Sequence, residues 1–322
     1  MPGERPSAGN DAGATNKEHE MSHLPRSTAW SRIAALGLAI VLIASACGDD
    51  DADNDAAPVD TPAESADDNA FSPGTLESGA TIERFDADGV TVHTYTNDPS
   101  GFGNTTAIIE SENVVVLVDA HFGEGPASEF RAFAESLGKP IEQLLITHDH
   151  PDHIGGIESV FSDVDSASSE GVVDAAAAAG TTITSVIEAG TTEIDGVTYQ
   201  FDVFVDAEAE EQLVVTLPDH GVLVAGDLTY SGYHAVMSPT FDNWLAILDT
   251  LAATEGLQVV IPGHGAPGGP EVIDDSVDYL TTAQATFVES SDAESFNAAM
   301  IEAYPERLGA NLLEFGSDRL FP

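Results

Sequence analysis

A single cysteine, Cys47, occurs in 322 residues, so the chain cannot close a disulfide on itself. Positive charge is almost as scarce: nine lysines and arginines stand against 56 aspartates and glutamates, a formal net charge of −47. After residue 70 only Arg84, Arg131, Lys139, Arg307 and Arg319 oppose 43 acids, which leaves −38 on residues 71–322. Such a surface repels nucleic acid and anionic lipid, and it stays soluble at high salt, where screening removes self-repulsion. No nucleic-acid partner is expected. Apolar runs long enough to cross a bilayer, about 20 residues, are not evident either. Without disulfides the fold must rest on its apolar core and on whatever metal its ligands can hold.

The front of the chain does not read as globular. Arg26 and Arg32 precede the apolar run 33–44, which stops at Ser45 and Ala46. A positive flank, a short apolar centre and small residues before a cut describe a secretory signal better than a membrane span. Ala44-Ser45-Ala46-Cys47 resembles a bacterial lipobox, although Ala44 stands where such motifs favour leucine. The resemblance implies lipidation of Cys47, which would become the mature N-terminus. Residues 48–70 hold nine acids, no base and almost no large apolar side chain, the composition of a disordered tether. The expected organisation is a leader and lipoprotein-type signal over 1–47, a tether over 48–70, and a globular body over 71–322. Such a protein is exported and anchored to the cell membrane by its lipid, facing away from the cytoplasm.

Within the body, period-two patterns predict hairpins over 81–85 with 90–96 and over 105–110 with 114–119. A helix over 126–137 and a strand over 141–146 follow, then a short helix over 154–161 and an alanine-rich one over 170–179 closed by Gly180. Further strands are expected over 182–188, 197–205, 212–217, 222–225 and 257–261, and helices over 241–253, 271–289 and 293–307. Two sheets with helices outside them make an α+β fold, a four-layer αββα sandwich. Trp244 reads as core, His121 as a loop residue and His220 as a surface residue at a turn.

The chemistry concentrates in Thr147-His148-Asp149-His150-Pro151-Asp152-His153, three imidazoles and two carboxylates in seven residues after a buried strand. Imidazole nitrogen and carboxylate oxygen suit a borderline divalent cation such as zinc, and a loop at a strand end can aim several of them at one centre. Gly226-Asp227 and Pro262-Gly263-His264-Gly265 each follow a further apolar strand. This series, over about residues 71–286, resembles the metallo-β-lactamase superfamily, whose hallmark is His-x-His-x-Asp-His. The resemblance implies that His148 and His150 hold a first metal, that Asp152, His153 and His264 hold a second, and that Asp227 bridges them. It also implies that Asp119 supports the metal loop from behind.

One element of the family pattern is missing. No histidine occurs between His153 and Asp227 at the place of the first metal's third imidazole ligand. Aligning back from Leu213 puts Glu208 there, with Glu210 as the next candidate and no ligand as a third reading. A glutamate shifts preference towards harder ions, so manganese or iron joins zinc among the expected metals, one or two per chain.

The resemblance implies a hydrolase in which a metal-acidified water attacks an ester, lactone, thioester or amide, β-lactams included. Asp152 or Asp149 would orient that water or take its proton. Tyr230 and His234 lie where relatives contact a small-molecule substrate, or they pack the core. The rival reading is a non-catalytic lipoprotein that keeps the fold and binds a metal or small ligand, and the missing histidine is its best support. Oligomeric state is not legible.

Overall fold

Alternation along the strands decides the layering in the computed structural model, which describes residues 71–321. The leader, Cys47 and the tether lie outside the described residues. The first sheet runs in chain order through β1 (Gly74–Thr75), β2 (Thr81–Ala87), β3 (Val90–Thr96), β4 (Thr105–Glu110), β5 (Val115–Val118), β6 (Ile141–Leu145), β7 (Ser166–Ser168) and β8 (Ser185–Val186). The second is ordered β13 (Val259–His264), β12 (Val222–Tyr230), β11 (Glu211–Leu217), β10 (Val197–Val205) and β9 (Gly190–Ile194).

On β4, Ala107 and Ile109 face one way and Ile108 the other. On β5, Val116 and Val118 oppose Val115 and Leu117, and on β12, Val222 and Val224 oppose Leu223 and Ala225. The first-named members meet Tyr199, Phe201, Leu213, Val215 and Ile261 in a core between the sheets. The opposite face of the first sheet is covered by α1 (Glu124–Ser136), α2 (Pro151–Ile154), α3 (Ile157–Val160) and α4 (Glu170–Ala179), through Phe130, Phe133, Phe161 and Val172. The outer face of the second sheet is covered by α5 (Phe241–Ala252), α6 (Glu271–Glu289), α7 (Ala293–Ala303) and α8 (Ala310–Leu320), through Trp244, Leu248, Leu280, Phe296 and Leu313. Three apolar layers thus separate four layers of secondary structure, the expected αββα sandwich. None of the described helices is long and apolar enough to cross a membrane.

Several elements differ from expectation. The helix expected over 154–161 is broken into α2 and α3 at Gly155 and Gly156. A Cβ on Gly156 would lie 2.2 Å from the Ala120 carbonyl oxygen, and the Gly156 amide donates to the His121 carbonyl at 3.1 Å, so the 119–121 loop passes where a continuous helix would stand. The strand expected over 182–188 shrinks to Ser185–Val186, and β9 forms beyond it, joined to β10 by Asp195 (φ 48°) and Gly196 (φ 78°). That pair has the left-handed conformations of a tight hairpin turn. Strand 222–225 extends to Tyr230, and α8 is a further helix beyond the shortened 293–303 one.

The topology gathers strand ends at one edge. β5 and β6 run parallel, as do β12 and β13, so each pair delivers its carboxyl-terminal residues side by side.

Candidate metal centre

Leu145 ends β6, and the chain then turns so that His148 and His150 face inward while Pro151 starts α2. Proline suits a first helical position because its missing N–H is not needed there. Asp152 and His153 therefore sit in the first turn of α2. Asp119 leaves β5 with φ 66°, a strained conformation for a side-chain-bearing residue. Its Oδ1 accepts the Thr147 amide at 2.8 Å, and its Oδ2 pairs with His153 Nδ1 at 2.8 Å. That one carboxylate ties the start of the motif to its end.

The other residues come from the second sheet. The pairing of β12 with β13 shifts register around Gly226, which re-aims Asp227 out of the ladder. Gly263 lies so close that a Cβ there would fall 1.8 Å from Asp227 Oδ1, so glycine is what lets the carboxylate occupy its place. Glu208 lies in the turn between β10 and β11. Asp206 adopts φ 55° in that turn, and its carbonyl accepts from Asn243 Nδ2 at 2.9 Å, while the Ala207 carbonyl accepts from Thr240 Oγ1 at 2.9 Å. The start of α5 thus clamps the turn that presents Glu208. Glu208 is fully buried and Glu210 is exposed, so Glu208 is the acid that reaches the site.

Two groups of donors result, His148, His150, Glu208 and Asp227 in one and Asp152, His153 and His264 in the other. In the first, His148 Nε2 is 3.8 Å from Glu208 Oε2 and 3.7 Å from Asp227 Oδ2, and His150 Nδ1 is 3.3 Å from Glu208 Oε1. In the second, Asp152 Oδ2 is 3.7 Å from His153 Nε2 and 3.2 Å from His264 Nε2. Asp227 faces both, with Oδ1 3.1 Å from His153 Nε2 and Oδ2 3.3 Å from His264 Nε2. Tetrahedral ligands at about 2.0–2.1 Å from a zinc ion stand roughly 3.3 Å from one another, so these spacings fit the edges of metal polyhedra.

Two further observations test that fit. His148 Nε2, Glu208 Oε1, Asp227 Oδ1 and His264 Nε2 are buried and find no hydrogen-bond partner in the protein, a costly arrangement unless a cation satisfies them. The electrostatics also call for positive charge. Burial pulls His153 down, but Asp227, Asp119 and Asp152 outweigh it and hold the ring well above the ordinary histidine range; burial also pulls His264 down, and Asp227 and Asp152 outweigh it and lift the ring to about 10. Burial raises Glu208 far above the usual carboxylate range, and Asp227 raises it further. Carboxylates that draw protons onto their neighbours in this way draw a divalent cation for the same reason. The donor set fits a metal.

Of the other expected residues, Asp149 is half-buried and joins neither group. Tyr230 is buried, stacked on His264 with ring centres 5.0 Å apart, and its hydroxyl donates to Asp227 Oδ2 at 2.6 Å. Both contacts are with the donor groups. His234 is buried against Tyr279, whose hydroxyl lies 2.9 Å from its Nδ1, which is the packing alternative. His121 is in a loop as expected but is fully buried, with Nε2 2.7 Å from Thr106 Oγ1, because the 119–121 segment dives under α1. His220 sits at its turn, bonded to the Ala87 carbonyl, and Trp244 is core, its indole N–H donating to the Leu228 carbonyl.

Sequence reading gave Asp119 behind His153 but missed two contacts of the 101–104 loop: the Phe102 carbonyl lies 2.9 Å from His264 Nδ1, and Asn104 Nδ2 lies 3.3 Å from His153 Nε2, the nitrogen that faces the donor group. Gly101-Phe102-Gly103-Asn104 was visible as a loop, and only the fold brings it to the site.

The αββα sandwich, with paired His, Asp and Glu donors at its strand ends, has the metallo-β-lactamase fold. The family model for the metallo-beta-lactamase superfamily matches residues 50–166. A linear primary-alkylsulfatase from Pseudomonas sp. is 26% identical, the match covering 50% of this chain. The chain spans only 41% of that relative's length. Among solved structures, a metallo-beta-lactamase from Pontibacter korlensis superposes with a TM-score of 0.54 at 21% identity, covering 62% of this chain and 99% of its own. The metallo-beta-lactamase FIM-1 from Pseudomonas aeruginosa, solved in its mono-zinc form, gives 0.53 at 20% identity, covering 67% and 98%.

Proposed function

We propose that the protein is a metal-dependent hydrolase of a small organic ester, lactone, thioester or amide. The observation that carries this reading is Asp227, a buried carboxylate facing two donor groups in which His148 Nε2, Glu208 Oε1 and His264 Nε2 are buried without a hydrogen-bond partner in the protein. His148, His150 and Glu208 would hold one divalent ion, zinc or a harder metal such as manganese or iron, and Asp152, His153 and His264 another. Bound there, a metal supplies Lewis acidity, which makes water more acidic and neutralises developing negative charge.

The chain's own part is to position and to move a proton. Asp152 is 17% exposed where Glu208 is closed off, so it is the acid that meets incoming solvent and substrate. Burial alone would raise its pKa, but the charges on His153 and His264 outweigh that and keep it ionised. The Asp152 oxygen not engaged with a metal would accept a proton from the attacking water and return it to the leaving group, and the half-buried Asp149 would orient the water. Glu208 and Tyr230 hold their places on either side of Asp227. The likeness to an alkylsulfatase adds sulfate esters to the substrates worth testing. The binding-protein reading rests on the absent histidine, and a buried Glu208 among the donors favours the hydrolase over it.

In the same proposal the apolar run 33–44 exports the chain and Cys47 carries a lipid anchor, with residues 48–70 as a spacer. Incorporation of labelled palmitate, and its loss in Cys47→Ser, checks the anchor. For the activity, carboxylic, thio- and sulfate esters are offered to the chain before and after chelation. Turnover lost on chelation, restored by zinc, and reduced about 100-fold or more in an Asp152→Ala variant that still binds metal supports the hydrolase. A metal-loaded chain that cleaves none of these, with lactones and amides added, contradicts it.

A further inference from the structure

Four of the buried atoms without a hydrogen-bond partner belong to the donor groups, and a fifth lies beside them. Asn104 is fully buried, and its Oδ1 has no partner in the protein. The other end of the same side chain, Nδ2, is 3.3 Å from His153 Nε2. That ring nitrogen also faces Asp227 Oδ1 at 3.1 Å and Asp152 Oδ2 at 3.7 Å, whereas Asp119 holds the ring from behind at Nδ1. Asn104 therefore stands on the donor side of the imidazole.

The backbone fixes Asn104 in that place. Its carbonyl accepts from the Asn97 amide at 2.9 Å, and the residue pairs with His264 in an antiparallel bridge. Next to the bridge the Gly265 amide donates to the Gly103 carbonyl at 2.8 Å, and Thr105 Oγ1 donates to the Gly265 carbonyl at 2.7 Å. Gly103, at φ 64°, lies so close to the Tyr233 ring that a Cβ would fall 2.2 Å from its Cζ. The start of β4 is thus stitched to the end of β13, and an asparagine there is carried to the imidazoles of the second group.

A cation changes which end of the amide belongs there. A carboxamide has an acceptor oxygen at one end and N–H donors at the other. A divalent ion on His153 Nε2 takes the lone pair that Nδ2 now meets, and an N–H turned towards a cation is repelled where an amide oxygen is attracted. The terminal torsion of asparagine is soft and roughly two-fold, so half a turn exchanges the two ends at low cost. In either orientation one end goes without a protein partner, so the end that faces the donors decides. Half a turn puts Oδ1 about where Nδ2 stands, at the spacing from His153 Nε2 that separates Asp227 from His264, 3.3 Å.

We propose that the Asn104 carboxamide oxygen is a further ligand of the second donor group, and that it turns this group towards oxygen-preferring ions such as manganese. Carbonyl and carboxylate oxygens suit manganese, where imidazole suits zinc. With Asn104 the group sets three oxygen ligands, those of Asp152, Asp227 and Asn104, against the two imidazoles of His153 and His264. The inference rests on reading the cluster as a metal centre and is independent of which bond the protein cleaves.

Manganese and zinc are each competed against a chelator in the full chain stripped of metal, for wild type, Asn104→Ala and Asn104→Asp. Asn104→Ala is expected to weaken one equivalent of manganese about tenfold or more and zinc about threefold or less, with the other equivalent unchanged. Asn104→Asp, which keeps an oxygen at that place, is expected to bind manganese at least as tightly as wild type. Equal manganese affinity in wild type and Asn104→Ala overturns the proposal. So does an equal loss of manganese and zinc in Asn104→Ala that Asn104→Asp does not restore, which would make the carboxamide a prop for His153. Wild type that binds neither ion contradicts the metal centre itself, and the expected pattern in a chain that cleaves no ester would sink the hydrolase reading alone.

Discussion

The two donor groups are built by different means. His153 and His264 each have the far ring nitrogen engaged, by Asp119 at 2.8 Å and by the Phe102 carbonyl at 2.9 Å, and Asp152 is one residue from His153 in the same turn. In the other group His148 Nδ1 meets Thr147 Oγ1 at 3.0 Å, but Glu208 arrives from a distant hairpin turn with one side-chain support, Gln212 Nε2 at 3.2 Å. Locking the far nitrogen fixes a ring's tautomer and direction before any metal arrives. Both groups need the two sheets to meet, but in the second both imidazoles have the far nitrogen engaged, while in the first the acid comes from a turn. Asp227, facing both, is where the two schemes join.

The largest effect should come from the residue the groups share. Asp227→Ala should remove both metals from the chain, measured by elemental analysis, and lower ester turnover by about 10³-fold or more. Retention of one full equivalent would mean that the groups do not depend on a common carboxylate.

Breaking only the local support should separate the groups. Asp119→Ala frees His153 Nδ1 and should weaken one metal about 10- to 100-fold, with the other unchanged, when competed against a chelator. Equal weakening of both would dissolve the distinction.

The smallest effect concerns a buried histidine outside both groups. Burial, aided by the Arg307 charge, holds His234 down at about 4. Between about pH 6.5 and about 4 the unfolded chain binds a proton there that the folded chain refuses, so stability falls as pH falls through that window and is fully present above it. Denaturant unfolding at pH 7 and 4.5 should show a smaller fall in His234→Gln, with metal content unchanged. An identical fall would place the titration elsewhere.

Much of this was legible in the sequence, because the strands announce themselves by alternation and the motif by density of ligands. His148, His150, Asp152, His153, Asp227 and His264 come together, and Glu208 with them, because each follows a strand that the topology ends at the same edge. What escaped was set by contact between distant segments. No local pattern shows that the 119–121 loop buries His121 and splits α2 from α3, or that Phe102 reaches His264. Tyr230 and His234 lie near the site in sequence, and burial turns one towards Asp227 and the other towards Tyr279. The Asp195-Gly196 turn was a readable hairpin signal that was passed over.

The account rests most directly on Glu208 completing the first donor group. Metal content of the purified chain, measured in parallel for wild type, Glu208→Ala and Glu208→His, tests it. The account predicts two equivalents in wild type, about one in Glu208→Ala, and recovery in Glu208→His, since imidazole can ligate from the same place. The same metal content in wild type and Glu208→Ala would contradict it and leave Glu208 a buried acid without a metal.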